Sequence, residues 1–165
     1  MNNAVTIQKV RKGFTLVELA VVIVIIGVLA AFGVPRFVKS VERSKAAEAF
    51  SYLSAVRDAQ ERYQAREGTY ASDLASIDIK FATPKYFTVP STFSPGTANS
   101  ASGTDGTLAT CWTLTLTRTG ASAGYGAYTV VFTQDGYDTS STIDTMPDIN
   151  PMGTDPSGGS AGAGS

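Results

Sequence analysis

The 165-residue chain has no histidine and a single cysteine, Cys111. Without histidine there is no His-dependent triad, no imidazole general base and no His-ligated zinc. One cysteine cannot form an intramolecular disulfide. An oxidising destination is therefore allowed but not required. No CxxC pair, Walker loop or GxGxxG turn is present. A net charge of −1 gives no case for nucleic-acid binding. Convergent carboxylate and nucleophile motifs are also missing, so a membrane-anchored enzyme is disfavoured. The expectation is no catalytic residue, no cofactor, no metal and no small-molecule substrate.

The charge that is present is unevenly placed. Residues 1–13 carry Lys9, Arg11 and Lys12 and no acid. A 21-residue run from Phe14 to Val34 follows, and its only charge is Glu18. At about 1.5 Å per residue, a helix of that length crosses a hydrocarbon core of about 30 Å. A carboxylate there costs roughly 2.5–3.5 kcal/mol on insertion scales, so it marks function by default. The basic end stays cytoplasmic and the chain beyond Val34 is directed outward. A secretory signal peptide places its small-residue cut after the apolar core. Here Gly13 precedes the core, and a cut after it leaves the whole apolar segment on the mature chain.

Lys12-Gly13-Phe14-Thr15-Leu16-Val17-Glu18, followed by this run, resembles the class III signal of type IV pilins and type II secretion pseudopilins. The resemblance implies cleavage after Gly13 by a prepilin peptidase, N-methylation of Phe14, and an assembly role for Glu18. It implies an α+β pilin fold, with a long N-terminal helix packed on a small antiparallel sheet. It also implies a homo-oligomeric helical filament, raised from the inner (cytoplasmic) membrane by an assembly platform with a separate ATPase. Before assembly the subunit would be single-pass, with its N-terminus cytoplasmic. Adhesion, motility or DNA uptake would be the filament's work. The alternative is a pseudopilin of a type II secretion pseudopilus. The region after Gly68 lacks the glycine- and proline-rich pattern of major pseudopilins, which favours the pilin by a slight margin. Related chains often staple their C-terminal region with a disulfide, which this one cannot, so sheet packing or a metal would have to serve. Major pseudopilins can hold calcium near the C-terminus. Oxygen ligands at Asp135, Asp138, Asp144 and Asp148 are thinkable, but their spacing matches no recognised loop, and solvated turn aspartates are favoured.

Cleavage would free an amine four residues before Glu18, and i and i+4 share a helix face. The helix N-terminus itself favours a carboxylate. In a filament, Glu18 could accept the Phe14 amine of its own chain or of a neighbour. Gly27, Gly33 and Pro35 make the weakest stretch of the helix. Proline removes a hydrogen bond and clashes with the preceding turn, and each glycine costs about 1 kcal/mol. Local unwinding on assembly and a simple bend are both consistent with this.

The expected organisation is a cleaved leader over 1–13, a transmembrane and assembly helix over 14–35, and its amphipathic continuation over 36–67. A globular head over 68–150 and a Gly/Ser-rich, disordered tail over 151–165 complete it. Val38, Val41, Phe50, Leu53, Val56 and Tyr63 recur at three- and four-residue steps, with alanines at 46, 49 and 59. The interspersed charges, Glu42 among them, read mostly as a solvated face. Gly68 is the expected C-cap, and Ser72 the cap of a short turn with Asp73 at its positive end. Trp112-Leu114-Leu116 and Tyr128-Val130-Phe132, interleaved mainly with threonine, predict an antiparallel strand pair joined through Gly120–Gly126. Asp135-Gly136 marks a turn, and Lys85–Val89 is a further strand candidate. Cys111, beside Trp112, is expected to be a small buried hydrophobe. Ser94–Thr107 reads as a loop, and Asn99 lacks the glycosylation sequon.

Overall fold

A computed structural model of the chain describes residues 13–96, 107–120 and 124–153. Leader residues 1–12, Asn99 with most of its loop, and the tail from residue 154 lie outside the described residues. One helix, α1 (Leu16–Glu67), dominates. Its sequence is rich in alanine, leucine and charged residues of good helix propensity. It runs unbroken through Gly27, Gly33 and Pro35. It stops where expected. Gly68 takes φ +77°, and its N–H closes on the Gln64 carbonyl at 2.8 Å. Only glycine adopts that backbone freely.

The chain forms two units, divided between Val38 and Lys39. In the first, every described residue up to Phe37 is exposed. This stretch contains the one helical segment, among the described residues, that is long and apolar enough to cross a membrane.

In the second unit, α1 buries Ala46, Ala49, Phe50, Tyr52, Leu53, Val56 and Ala59. They share one core with Phe87, Trp112, Leu114, Leu116, Tyr128, Val130 and Phe132. Phe50 meets Phe132 edge-on at 5.7 Å. The expected stripe is thus the packed face, although Val38, Val41 and Tyr63 at its ends are only half-buried. The same face carries two buried polar residues, Glu42 and Gln60. Gln60 is satisfied by both backbone groups of Ala71, at 2.9 and 3.2 Å. Glu42 is a correction to the solvated-face reading.

The sheet is an antiparallel meander, β1 (Phe87–Thr88), β2 (Thr113–Arg118), β3 (Thr129–Thr133) and β4 (Gly136–Asp138), in that order. Leu114 lies opposite Phe132 and Leu116 opposite Val130. Alternation explains β2: Leu114, Leu116 and Arg118 are buried, while the threonines between them are half-buried. The Lys85–Val89 candidate narrows to the two residues of β1. The Asp135-Gly136 turn is a two-residue hairpin at Gln134-Asp135. Gly136, at φ +113°, already pairs with Thr133 and opens the unforeseen β4. The turn over Leu74–Ser76 is capped by Asp73 rather than Ser72. Asp73 Oδ1 accepts the Ser76 N–H at 2.9 Å, because Asp73 is the extended residue immediately before the turn. Cys111 is 1% exposed, and its thiol donates to the Gly96 carbonyl at 3.1 Å.

Packing and hydrogen bonds hold the C-terminal segment. Ile143 and Ile149 are fully buried, as is Asn150. Asn150 Nδ2 donates to Asp144 Oδ1 at 3.2 Å, and its Oδ1 accepts the Met152 N–H at 3.0 Å. Lys39 pairs with Asp148 at 2.5 Å. Asn150→Ala removes a fully buried amide with its bonds to Asp144 and Met152, and is expected to cost about 1–3 kcal/mol. Thermal unfolding of the full chain in detergent measures it, and an unchanged midpoint would reject this role.

Candidate assembly site at the start of the helix

Thr15 directly precedes α1, and its carbonyl accepts the first helical bond, from Leu19. Its hydroxyl accepts the Glu18 N–H at 3.2 Å. In return Glu18 Oε2 accepts the Thr15 N–H at 2.8 Å and the Thr15 hydroxyl at 2.7 Å. This is a reciprocal capping box of the form Thr-x-x-Glu, which satisfies orphan donors of the first turn. The carboxylate at position 18 is therefore oriented by its own chain. Glu18 Oε1 has no hydrogen-bond partner among the described residues, so one oxygen stays open to an incoming donor. Phe14 lies one residue outside the cap and is 83% exposed. Nothing stands within 4 Å of a Cβ built on Gly13, Gly27 or Gly33, so no neighbouring atom demands glycine there. The structure thus brings Glu18 together with Thr15. Gly27, Gly33 and Pro35 are spread along the helix and make no common site. Thr15 went unnoticed in the sequence, although a Thr-x-x-Glu spacing before an apolar run signals it.

A second polar constellation lies inside the head. Glu42 is 1% exposed, Arg118 2% and Tyr128 0%. Arg118 Nε donates to Glu42 Oε1 at 2.5 Å and Nη2 to Oε2 at 3.2 Å, a fork matched to a carboxylate. The Tyr128 hydroxyl adds a bond at 3.1 Å, and Lys45 one at 3.2 Å. Arg118 Nη1 reaches the carbonyls of Tyr86 and Thr119. Burial alone would push the Glu42 carboxyl up. The bonds from Arg118, Lys45 and Tyr128, with the Arg118 charge, outweigh it and hold the group down at about 2. Burial, then the Glu42 charge, pushes the Tyr128 hydroxyl up. Every polar group here has a partner within the chain, which marks a structural clasp.

The four aspartates do not converge. Asp138 turns back on the Ser140 N–H at 2.7 Å, Asp144 meets Asn150, Asp148 meets Lys39, and Asp135 meets Gln134 at 3.0 Å. Among the described residues no group of three or more metal-ligating side chains gathers.

Residues 8–34 match the model of the prokaryotic N-terminal methylation motif. The fimbrial protein EcpC of Eikenella corrodens is 35% identical over 118 residues, 72% of this chain and 71% of that protein. The type IV major pilin protein PilA of Myxococcus xanthus is 45% identical over 72 residues, 44% of this chain and 32% of that protein. The type IV narrow pilus major component of Thermus thermophilus is 43% identical over 74 residues, 45% of this chain and 60% of that protein. No solved structure matches. A helix carrying the methylation motif and ending on an antiparallel meander is the architecture of a pilin-like structural subunit. The chain belongs to the type IV pilin family.

Proposed function

We propose that this chain is the repeating subunit of an extracytoplasmic type IV pilus, made as a precursor in the inner membrane. One observation carries the reading. The part of the methylation motif that lies on α1, residues 16–34, carries apolar side chains that are all exposed. Such a surface needs lipid before assembly and apolar neighbours afterwards. A prepilin peptidase cuts after Gly13 and methylates Phe14. Glu18, presented by the Thr15 cap, then accepts the Phe14 amine of an adjacent copy. The stretch Gly27–Pro35 loosens as helices bundle. An inner-membrane platform with its own ATPase drives extrusion. The work of the chain is structural, and the filament serves adhesion, motility or DNA uptake.

Mass spectrometry of the N-terminus, in filaments sheared from the native host and imaged by electron microscopy, tests this. Long filaments rich in a chain that begins with methylated Phe14 are expected. A processed chain confined to the inner membrane, without filaments, would favour the pseudopilin instead. Replacing Gly13 with Leu is expected to leave essentially all of the chain as full-length membrane precursor. Normal processing of that variant on an immunoblot would reject the cleavage assignment.

A further inference from the structure

The last turns of α1 carry different surfaces on their two flanks. On one, Arg57, Glu61 and Gln64 form a cleft of about 440 Å³ with Tyr70 and the hairpin turn Gln134-Asp135. Its polar groups are held in place. Arg57 Nε donates to the Gln134 carbonyl at 2.7 Å, and Gln134 Nε2 donates to Asp135 Oδ2 at 3.0 Å. The Tyr70 hydroxyl donates to Glu61 Oε1 at 3.2 Å. Burial, then the Glu61 charge, pushes that hydroxyl up to about 12, so it remains a donor. Neither Glu61 nor Asp135 has an ion-pair partner among the described residues. The cleft therefore presents two carboxylates against one guanidinium.

The other flank runs along Ala55, Asp58 and Arg62 to Asp78, Lys80 and Phe81. Arg62 is engaged with the Asp78 carbonyl at 3.1 Å. Lys80 is exposed and has no ion-pair partner among the described residues. Phe81 is 58% exposed, the most exposed aromatic ring described in the second unit. Asp58 and Asp78 balance the charge of this flank as a whole, so the complement is local: Lys80 beside a bare ring meets a cleft with surplus carboxylate and a fixed guanidinium. Ammonium pairs with carboxylate, and a guanidinium lies favourably over an aromatic face. The two surfaces differ and lie on opposite flanks of one helix. Their contact is therefore heterologous, and such contacts propagate into helical filaments when the rotation does not close.

We propose that Lys80-Phe81 of a second copy of this chain docks into the cleft, Lys80 against Glu61 and Asp135, Phe81 against Arg57. This rests on the filament reading above. It assigns a head-to-head contact separate from the Glu18 pairing at the helix start. The test uses filaments from the full chain carrying Lys80→Cys with Asp135→Cys, treated with a short bis-maleimide. The native Cys111 is 1% exposed, so it contributes little background. A ladder of cross-linked multimers, absent from each single variant, is expected. Filaments of normal yield without a ladder would overturn the proposal. Should the paired cysteines block assembly, charge exchange decides. Lys80→Glu is expected to lower filament yield several-fold, and adding Asp135→Lys to restore most of it. Yield unaffected by the first change, or unrestored by the second, overturns the contact. If the unaltered chain makes no filament at all, the pilus reading itself fails, a result distinct from these.

Discussion

Replacing Glu42 with alanine is expected to destabilise the head by about 3–5 kcal/mol, the cost of leaving a buried charge without its partner. Arg118 would remain at 2% exposure with its carboxylate gone, and the Tyr128 hydroxyl would lose its acceptor. Arg118→Ala should also cost several kcal/mol, because it takes the forked guanidinium from the buried Glu42 carboxylate and leaves it with Lys45 and the Tyr128 hydroxyl. Removing both charges together is different. Glu42→Leu with Arg118→Met takes away the desolvation cost along with the attraction, and such exchanges are often neutral or stabilising by about 1–4 kcal/mol. Denaturant unfolding of the full chain in detergent checks all three. Single variants no less stable than wild type would show that the clasp contributes nothing.

The pH dependence has a definite sign. The Glu42 carboxyl is held at about 2 in the fold, below its ordinary value of about 4.3. Its contribution is complete above the ordinary value and disappears as pH falls through about 2. Arg118→Met removes the main group holding the carboxyl down and leaves the burial that pushes it up. Protonation then relieves the variant, so its deficit relative to wild type shrinks on acidification. A deficit that stays constant from neutral pH to pH 3 would contradict this account.

The fold was legible wherever a local period decided it. The 21-residue apolar run, the stripe from Ala46 to Ala59 and the alternation in β2 and β3 each state their structure within a few residues. The clasp was harder to see because its halves lie 76 residues apart. Each half nevertheless carried a hint. The alternation Leu114, Leu116 continues to Arg118, so the inward face of the strand ends on a cation. Glu42 stands four residues before Ala46 and seven before Ala49, on the stripe rather than opposite it. The general rule that helix charges face solvent overrode both hints. Strand β4 was missed for another reason. Its three half-buried residues have no periodicity, and it exists because the Gln134-Asp135 turn returns the chain against β3. The capping box was fully local, yet Glu18 drew attention as a charge in an apolar run and Thr15 passed as part of that run.

That box gives Glu18 two separable duties, and one substitution separates them. Glu18→Ala is expected to permit cleavage after Gly13 and yet reduce filament incorporation by on the order of 100-fold or more. The reason is that a buried, unpaired amine costs several kcal/mol, and each 1.4 kcal/mol is tenfold. Alanine also abolishes the bonds to Thr15, which weakens the start of the helix. A failure of the alanine variant could therefore reflect a frayed first turn. Glu18→Gln distinguishes the two, because glutamine serves at the third position of a capping box while carrying no charge. If the charge holds the neighbouring amine, Glu18→Gln should fail nearly as completely as alanine, with its helix start intact by hydrogen exchange of the Thr15–Leu19 amides. Thr15→Ala is the converse: it weakens the cap, keeps the carboxylate, and should assemble with a modest loss. Wild-type filament yield from Glu18→Gln would reject the charge role and leave Glu18 as a capping residue. The geometry favours the first outcome, because the cap occupies Oε2 and leaves Oε1 without a partner among the described residues.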